Sequence, residues 1–330
     1  MKILVVGCGS IGKRHIRNLI SINAGEIIAC DINDKKLNDV KEEFSIKAFS
    51  GIEEALSINK YTAAFICTPP SYHVVQALKF LELGMHCFIE KPLSSNLAGI
   101  DDLINMADSK QRTVVIGYNI RFSPQLRKIK KLIDNDVIGN IFSLRASSGY
   151  YLPYWRPSED YRKGYGSKEE EGGGIVFDAS HEIDYVRYLL GEVDEVFAVC
   201  KKLSRLEIDT EDFAEITMHH RNGAYSQIHL DYLQTNYRRS CEIIGEKGML
   251  VWDINERVLK QYGQNDKEYH AYYEGLNANV NDMYLEEVLH FFRCMNGDEE
   301  PLVSINEGKR VQEIIIKIKE SSDKKMVLQV

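Results

Sequence analysis

One stretch near the start of the chain decides the fold: Ile3-Leu4-Val5-Val6-Gly7-Cys8-Gly9-Ser10-Ile11-Gly12. Its apolar first half predicts a β-strand, and Ile16 and Leu19 mark the inner face of a helix that follows. In a G-x-G-x-x-G turn between strand and helix, Gly7 permits the tight turn, Gly9 lets a pyrophosphate approach the backbone, and Gly12 allows close helix packing. Free N–H groups at the helix start then face the phosphates. A ligand-free glycine turn is the alternative, which the flanking strand and helix disfavour. The dinucleotide-binding residues predicted here are Gly7, Gly9, Ser10, Ile11 and Gly12.

The first third of the chain alternates short apolar runs with helical patterns, which is typical of a parallel sheet covered by helices. The sequence therefore predicts an α/β fold with a doubly wound sheet. The predicted strands lie at 3–6, 27–30, 63–67, 87–89 and 114–116.

Asp31 ends the second predicted strand, 19 residues beyond Gly12. A carboxylate at this position accepts hydrogen bonds from the adenosine ribose and repels a 2′-phosphate. The pattern predicts NAD over NADP, although the nearby Lys35 and Lys36 leave NADP open as the less favoured cofactor.

Two further strand ends carry polar residues. Thr68-Pro69 follows the strand at 63–67, and His73 lies in the first turn of the next helix, where it either borders the nicotinamide or interacts only locally. Glu90-Lys91-Pro92 follows the strand at 87–89. Lysine usually stays in solvent, so Lys91 at this sheet edge predicts a cation where nicotinamide and a polar substrate meet.

Length, charge and cysteine content limit the classes of protein to which the chain could belong. The 330 residues fit two domains, and the formal net charge of -8 with a pI near 5.7 argues against nucleic acid and anionic membrane as partners. No apolar run approaches the roughly 20 residues that a membrane span needs, and no signal peptide is recognised. The seven scattered cysteines contain no Cys-x-x-Cys pair, so we expect no metal site, no disulfides and a cytoplasmic location.

Glu90-Lys91-Pro92, Arg121-Phe122-Ser123-Pro124 and Gly172-Gly173-Gly174 follow the glycine turn in an order that resembles the glucose–fructose oxidoreductase / inositol dehydrogenase / MocA family. The resemblance covers nearly the whole chain. It implies an NAD-binding Rossmann domain at 1–120 and, at 121–330, an α/β domain with a large, open, mostly antiparallel sheet. It also implies that a helix at about 307–319 docks back on the first domain, and that the open sheet face forms a homodimer or homotetramer.

Alternating patterns in the second half agree with such a sheet, and Arg221-Asn222-Gly223 is a hairpin signal. Tyr237-Arg238-Arg239 is interpreted as a solvated sheet edge. The predicted strands lie at 141–147, 196–200, 214–219, 224–230, 240–244 and 248–252.

Asp178 and His181 follow the triple glycine at the start of a predicted helix, within one turn of each other. Small glycines there would let a cofactor or substrate approach the backbone. We expect neutral His181 to accept the hydroxyl proton, positively charged Lys91 to stabilise the developing alkoxide, and Asp178 to orient substrate or histidine. Two residues separate Asp178 from His181, whereas the family pattern has three. The structural alternative is that Asp178 or Ser180 caps the helix.

The segment 150–171 is rich in aromatic residues and arginine, which stack on sugars and pair with anions respectively. A lid or interface loop without ligand contact is the alternative. Through the resemblance, Trp155 and Arg156 are assigned to the cofactor. The other predicted cofactor-binding residues lie at the strand ends described above: Thr68, Pro69, His73, Glu90 and Lys91. The predicted substrate-binding residues are Lys91, Arg121, Tyr161, Arg162, Asp178 and His181.

The sequence as a whole predicts an NAD-dependent oxidoreductase acting on a secondary alcohol of a sugar-like substrate. The arginines favour an anionic sugar or a nucleotide sugar. The alternatives are an inositol or dihydrodiol dehydrogenase of the same fold, and a nucleotide-sensing regulator without turnover.

Overall fold

The computed structural model describes residues 1–157, 159–273 and 279–330. They form two compact units. Unit 1 comprises Met1–Asn119 and Val280–Lys309, and unit 2 comprises Ile120–Asn279 and Arg310–Val330. The division into two domains at residue 120 stays a prediction. The sequence pattern does not indicate that the chain returns to unit 1 at residue 280.

Unit 1 contains a six-stranded parallel sheet with the order β3-β2-β1-β4-β5-β6. This is the doubly wound order in which ligands bind beyond the carboxyl ends of the strands, where the order reverses beside β1. The predicted Rossmann sheet is confirmed. Its elements up to residue 117 are β1 (Lys2–Val6), α1 (Ser10–Ser21), β2 (Glu26–Cys30), α2 (Asp34–Phe44), β3 (Lys47–Phe49), α3 (Ile52–Ile58), β4 (Ala63–Ile66), α4 (Pro70–Glu82), β5 (His86–Glu90), α5 (Ile100–Lys110) and β6 (Val114–Gly117).

The central strands of this sheet are apolar along their whole length because helices cover both faces. The ring of Phe65 on β4 stacks on the ring of Phe88 on β5 with centroids 4.9 Å apart. Phe291, from the returning segment of the chain, meets both rings edge-on. The core of unit 1 is therefore completed by residues that lie more than 200 positions away in the sequence.

Unit 2 is built on a nine-stranded sheet with the order β14-β13-β12-β11-β7-β10-β9-β8-β15. β7 and β10 pair in parallel, and the other neighbours in this order pair antiparallel, so the predicted mostly antiparallel sheet is confirmed. The elements after residue 120 are α6 (Pro124–Asp134), β7 (Ile141–Gly149), α7 (Leu152–Trp155), α8 (Ile175–Asp178), α9 (Ser180–Leu190), β8 (Val193–Lys201), β9 (Phe213–His220), β10 (Tyr225–Asp231), β11 (Arg238–Gly245), β12 (Gly248–Asp253), β13 (Val258–Gly263), β14 (His270–Tyr272), α10 (Val280–Met295), α11 (Ile305–Lys324) and β15 (Leu328–Gln329). Short 3-10 helices lie at Asn119–Phe122, Tyr161–Lys163, Tyr165–Ser167 and Glu169–Glu171.

α10 belongs to unit 1 and packs on α1, whereas α11 is divided between the units at residue 309. Four apolar residues in the unit 2 part of α11 are fully buried: Val311, Ile314, Ile315 and Ile318. The predicted docking of this helix on the first domain stays a prediction.

α9 is buried around almost its whole circumference, including its charged residues. Each of these charges meets an opposite charge in unit 2. Glu182 pairs with Arg239 at 2.6 Å, and Asp184 pairs with Arg121 at 2.7 Å. Burial of charge is costly unless it is paired in this way. The interpretation of Arg239 as part of a solvated edge is wrong, because this side chain points to the covered face of the sheet and meets α9.

His229 lies on β10 directly opposite Glu215 of β9, on the less covered face of the sheet. Its Nδ1 is 2.6 Å from Glu215 Oε1 and its Nε2 is 2.7 Å from Asp231 Oδ2. The hydrogen bond to Asp231, supported by the one to Glu215, raises the pKa of His229 from 6.5 to about 9.

A stability difference follows from this arrangement. Because the pKa is raised in the folded state, the stabilisation by His229 is fully present below pH 6.5 and is lost as the pH rises through about 9. We expect His229→Gln to lower the free energy of unfolding by about 1–2 kcal/mol at a pH of about 6.5, after allowing for solvent screening. Above a pH of about 9.5 the decrease should be much smaller. Urea unfolding of wild type and variant at low and at high pH measures this difference in the free energy of unfolding. Gln227→Ala, on the same strand and face but without a titratable group, is the control. An effect of His229→Gln that is the same at both pH values would contradict the ion-pair account.

Candidate active site

The glycine turn between β1 and α1 contains three glycines in three different environments. Gly7 has φ +94°, and a Cβ there would collide with the carbonyl group of Cys67, while a Cβ on Gly12 would collide with the carbonyl oxygen of Gly7. A Cβ on Gly9 would meet nothing within 4 Å. Gly9 also precedes α1 without any side-chain cap, so the N–H groups of the first turn are not taken by a cap. The turn thus fits a pyrophosphate at Gly9, beside the exposed Ser10 and the partly buried Ile11.

Asp31 directly follows β2 and helps to order this turn. Its Oδ2 accepts a hydrogen bond from the backbone N–H of Cys8 at 2.7 Å, and its Oδ1 accepts one from the N–H of Asn33 at 2.8 Å. A carboxylate has about four acceptor positions, so capacity for ribose hydroxyls is left. Ile32, which the sequence does not single out, follows Asp31 and is 92% exposed.

His73 on α4 is fully buried, and both of its ring nitrogens face backbone carbonyls. Nε2 is 2.8 Å from the oxygen of Thr68, and Nδ1 is 2.9 Å from the oxygen of Pro92. Burial lowers the pKa of His73. The local role therefore has direct support, and the ring nitrogens are engaged within the protein. Thr68 and the adjacent Pro69 are only partly buried, and the Thr68 hydroxyl donates to Gln76 Oε1 at 2.8 Å.

Glu90 is the last residue of β5, and its side chain is buried between two partners. Its Oε1 lies 2.6 Å from His15 Nε2, and its Oε2 accepts the backbone N–H of Lys91 at 3.2 Å. Glu90 is predicted to bind the cofactor, but its carboxylate is oriented into the protein. The half-buried Lys91 follows directly, at a cis bond to Pro92. His15 was not anticipated, because in the sequence it resembles any helix residue near a core position.

In unit 2, Asp178 is the centre of a tyrosine cluster. Its carboxylate oxygens accept hydrogen bonds from the hydroxyls of Tyr150 and Tyr165, each at 2.5 Å, and of Tyr232 at 3.2 Å. Burial raises the pKa of Tyr150 and Tyr232 well above the ordinary value, and the Asp178 charge adds to the shift. Tyr150 and Tyr232 therefore stay protonated, and all three hydroxyls act as donors to Asp178. The sequence predicts Asp178 as a catalytic residue but does not reveal these partners.

The glycines before α8 are required by packing within the protein and not, as expected, by the approach of a ligand. A Cβ on Gly173 would approach the carbonyl oxygen of Lys168 to 2.7 Å, and a Cβ on Gly174, whose φ is +103°, would collide with the carboxylate of Glu211. The chain itself thus occupies the space that the missing side chains leave. The expectation that these two glycines make room for a ligand is wrong.

His181 lies in the first turn of α9 with 8% of its surface exposed. Arg121, predicted to bind substrate, is 2% exposed and forms two hydrogen bonds to Asp184, with Nε–Oδ2 at 2.9 Å and Nη2–Oδ1 at 2.7 Å. The bidentate pair and the stacking of Arg121 on Tyr188 favour a structural role for this arginine.

The aromatic segment 150–171 is described except for Ser158. Trp155 stacks on Tyr150 with ring centroids 4.3 Å apart and is 44% exposed. The side chain of Arg156 is partly exposed, and its Nη1 lies 3.7 Å from the Glu159 carboxylate. Arg162, in contrast, bonds its own neighbour Asp160 and also Glu207.

Tyr161, the remaining predicted substrate ligand, uses its hydroxyl oxygen to accept the backbone N–H of Glu207 at 3.3 Å. Arg156, with one carboxylate at 3.7 Å, is therefore less engaged within the protein than Arg162, which has two carboxylate partners at 2.8 Å.

Comparison with known proteins supports both halves of the chain. Residues 1–118 match the model of the "Oxidoreductase family, NAD-binding Rossmann fold", and residues 126–251 match that of the "GFO/IDH/MocA C-terminal domain". The myo-inositol 2-dehydrogenase of Thermotoga maritima is 29% identical over 318 residues, which cover 94% of this chain and 92% of that protein. The NAD cofactor predicted from the glycine turn and Asp31 is thereby confirmed.

Solved structures with the same fold include a probable dehydrogenase from Thermotoga maritima, with 28% identity, a TM-score of 0.81 and coverage of 100% of this chain and 99% of the other. The WlbA dehydrogenase of Bordetella pertussis, solved with NADH and UDP-GlcNAcA, has 22% identity, a TM-score of 0.86 and coverage of 100% and 98%. At that identity the second similarity supports the fold alone. No described helix is both long and apolar enough to cross a lipid bilayer.

The contrast between Gly9 and Gly12 gives a test of the cofactor turn. We expect Gly9→Ala to fold with nearly unchanged stability but to weaken NADH binding at least tenfold, because the new methyl group occupies the pyrophosphate position. Gly12→Ala should instead lower the melting temperature, since its methyl group collides with the backbone of Gly7. Calorimetry and NADH fluorescence titration measure the two effects. Wild-type NADH affinity in Gly9→Ala would contradict the placement of the pyrophosphate.

The tyrosine cluster predicts a stability effect at Asp178. Asp178→Asn replaces one acceptor oxygen by an NH₂ group that faces a phenolic hydrogen, and we expect a loss of about 1–3 kcal/mol. Tyr165→Phe, which removes one donor and keeps the carboxylate, should cost less than Asp178→Asn. Denaturant unfolding of the wild type and both variants measures the difference. If Asp178→Asn is as stable as the wild type, the three hydroxyls do not depend on the charge.

Proposed function

The chain belongs to the Gfo/Idh/MocA family of NAD-dependent oxidoreductases, and we propose that it acts on a secondary alcohol of an anionic sugar or a nucleotide sugar. Its class is that of sugar and polyol oxidoreductases working on CH–OH groups. The alternative of a regulator without turnover is therefore set aside. The proposal concerns the substrate and the roles of individual residues.

The position of Lys91 is the observation that carries the proposal. Lys91 leaves the carboxyl end of β5, and Gly9 and Asp31 lie beyond the carboxyl ends of β1 and β2 in the same parallel sheet. β4 separates β1 from β5, so the glycine turn and the lysine are two strand spacings apart, about 10 Å. A dinucleotide whose pyrophosphate lies at Gly9 can extend along this edge towards a fixed cation.

The proposed reaction uses three groups. NAD, when bound, accepts the hydride from the substrate carbon. Lys91 hydrogen-bonds the oxygen on that carbon and stabilises alkoxide character as the hydride leaves. Neutral His181 accepts the hydroxyl proton, and reduction of a keto sugar uses the same groups in reverse. Lys91 belongs to unit 1 and His181 to unit 2, so their joint action stays a prediction for kinetics to test.

Asp178 is proposed to bind substrate through its tyrosine cluster and not to take part in proton transfer. Three phenolic hydroxyls already donate to its carboxylate. These donors occupy most of the roughly four acceptor positions of the carboxylate and leave about one for a substrate hydroxyl. This assignment also removes the difficulty of the short Asp178–His181 spacing, since Asp178 need not contact the histidine.

The anionic substrate is supported by Arg156 and the exposed face of Trp155. Arg156 meets Glu159 only at 3.7 Å, whereas Arg162 is balanced by Asp160 and Glu207. UDP-GlcNAcA in the WlbA structure is an example of such an anion on the same fold. A neutral polyol is the second candidate, because the myo-inositol 2-dehydrogenase is 29% identical over nearly the whole chain.

Two further proposals rest on the family resemblance and on the thiols. The less covered face of the nine-stranded sheet carries exposed Phe197, Val199 and Tyr225, and we expect it to form a homodimer or homotetramer, which sedimentation velocity decides. All seven cysteines are free thiols, compatible with the predicted cytoplasmic location. Localisation of a tagged chain tests that prediction.

Variants of the two proposed catalytic residues test the reaction. Lys91→Met and His181→Asn should each lower kcat by a factor of about 10²–10⁴, because each removes transition-state charge stabilisation or the proton acceptor. Fluorescence titration should give NADH affinity within about twofold of wild type for both. Lys110→Met, an exposed lysine at the end of α5, is the control and should be fully active. Wild-type kcat in Lys91→Met would overturn the proposal.

A substrate panel tests the anion. We expect oxidation of UDP-sugars or sugar acids with NAD, and Arg156→Gln should raise KM for them while the matched variant Arg162→Gln has little effect. If myo-inositol turns over and no anionic sugar does, the polyol candidate replaces the anionic one.

A further inference from the structure

Two buried histidines contact the Glu90–Pro92 segment, one on each side of Lys91. His15 on α1 approaches the side chain of Glu90, and His73 on α4 approaches the backbone carbonyl of Pro92. Both histidines belong to unit 1, like the segment itself. Neither contact has a role in the reaction as described so far.

The contact of His15 with Glu90 explains how a carboxylate is accommodated at the end of β5. The His15 side chain has no exposed surface, and its ring lies 5.4 Å from that of Phe65 and 5.0 Å from that of Phe88. In such surroundings a carboxylate without a partner is strongly disfavoured. His15 Nδ1 has no hydrogen-bond acceptor among the described residues, so one proton on Nε2, donated to Glu90, satisfies the pair.

Glu90 transmits this contact to the lysine. While Oε1 faces His15, the second oxygen accepts the backbone N–H of Lys91 at 3.2 Å. The direction in which the Lys91 backbone leaves β5 is thereby tied to α1, the helix that begins at the glycine turn.

His73 constrains the same segment from the other side. Its ring lies between the Thr68 carbonyl, in the loop after β4, and the Pro92 carbonyl, in the loop after β5. A neutral imidazole has one N–H, so it donates to one of these carbonyls at a time. With the proton on Nδ1 the ring ties the loop after β5 to α4, whereas with the proton on Nε2 it ties the loop after β4 to α4. Positioning of Lys91 requires the proton on Nδ1, which the variants below test.

We propose that His15 and His73 are positioning residues for Lys91: together they fix the Glu90–Pro92 segment so that the ammonium group is directed at the reacting oxygen. The inference rests on the proposed role of Lys91 and adds two residues that act through it. It also assigns His73 to the protein loops and not to the cofactor. A displacement of about 1 Å at a reacting group can cost a factor of 10² in rate.

Paired variants distinguish positioning from general packing. A glutamine amide nitrogen is as many bonds from Cα as histidine Nε2, and an asparagine amide nitrogen as many as Nδ1. His15→Gln therefore keeps the donor to Glu90, whereas His15→Phe keeps the ring volume without it. His73→Asn keeps the contact with Pro92, and His73→Gln keeps only the one with Thr68.

We expect His15→Phe and His73→Gln to lower kcat about 10–100-fold, with NADH affinity within twofold of wild type. His15→Gln and His73→Asn should keep kcat within about threefold. The substrate is whichever of UDP-GlcNAcA or myo-inositol the wild type oxidises. Hydrogen–deuterium exchange of the protein without ligand should be faster at residues 88–93 in His15→Phe and His73→Gln only. His86→Gln, at the opposite end of β5, is the control and should change neither kcat nor this exchange.

Failure of this inference differs from failure of the proposed function. If Lys91→Met is inactive while His15→Phe and His73→Gln retain wild-type kcat and exchange, the positioning role is wrong and the role of Lys91 stands. If Lys91→Met is active, the proposed function fails, and the exchange data alone decide whether the histidines order the segment. Should His15→Phe not fold, the comparison of His73→Gln with His73→Asn decides.

Discussion

Where a strand of a parallel sheet ends, its last backbone groups lose their partners on neighbouring strands while they are still shielded from water. Such groups must find other hydrogen-bond partners. In unit 1 side chains provide them: Asp31 accepts the N–H of Cys8, and Glu90 accepts the N–H of Lys91. His73 faces the carbonyls of Thr68 and Pro92 and donates its N–H to one of them. The residues that satisfy the sheet edge are the ones predicted to serve the cofactor. The same hydrogen bonds that order this edge of the sheet therefore also hold the glycine turn and Lys91 in the positions where a ligand could meet them.

The two glycine-rich segments illustrate how similar sequence signals have different physical causes. At the first turn, Gly7 and Gly12 allow backbone contacts inside the protein, and Gly9 alone borders open space. Before α8, the missing side chains of Gly173 and Gly174 make room for other parts of unit 2. The atoms that a Cβ at a glycine would contact come from parts of the chain that are brought close only by folding. The strand-to-helix context identified the first segment correctly, but no comparable local rule exists for the second.

The sequence predicted the sheets much better than the partners of buried charges. Strands covered on both faces are apolar throughout, and half-covered strands alternate, so both sheets were recognisable. β3, β14 and β15 have only two or three residues each and were missed, as was the six-residue β13. Arg121 and Asp184 are 63 positions apart, and Arg239 and Glu182 are 57 apart. Local patterning indicates that a charge is present, but it contains no information about which distant residue neutralises it.

A substrate deduced from the number of charged residues in a segment is subject to the same limitation, because the sequence does not show which of those charges are already paired. Arg162 has two carboxylate partners of its own, so little of its charge is available to attract an anion. Asp178 accepts from three phenols and has about one acceptor position left of the four that a carboxylate offers. A substrate hydroxyl that needs more than one bond to Asp178 must displace a tyrosine. Since Tyr150 and Tyr232 are buried, displacement would leave a phenol without an acceptor, which is costly. The tyrosine cluster, more than the charge of Asp178, therefore limits which sugar can bind there.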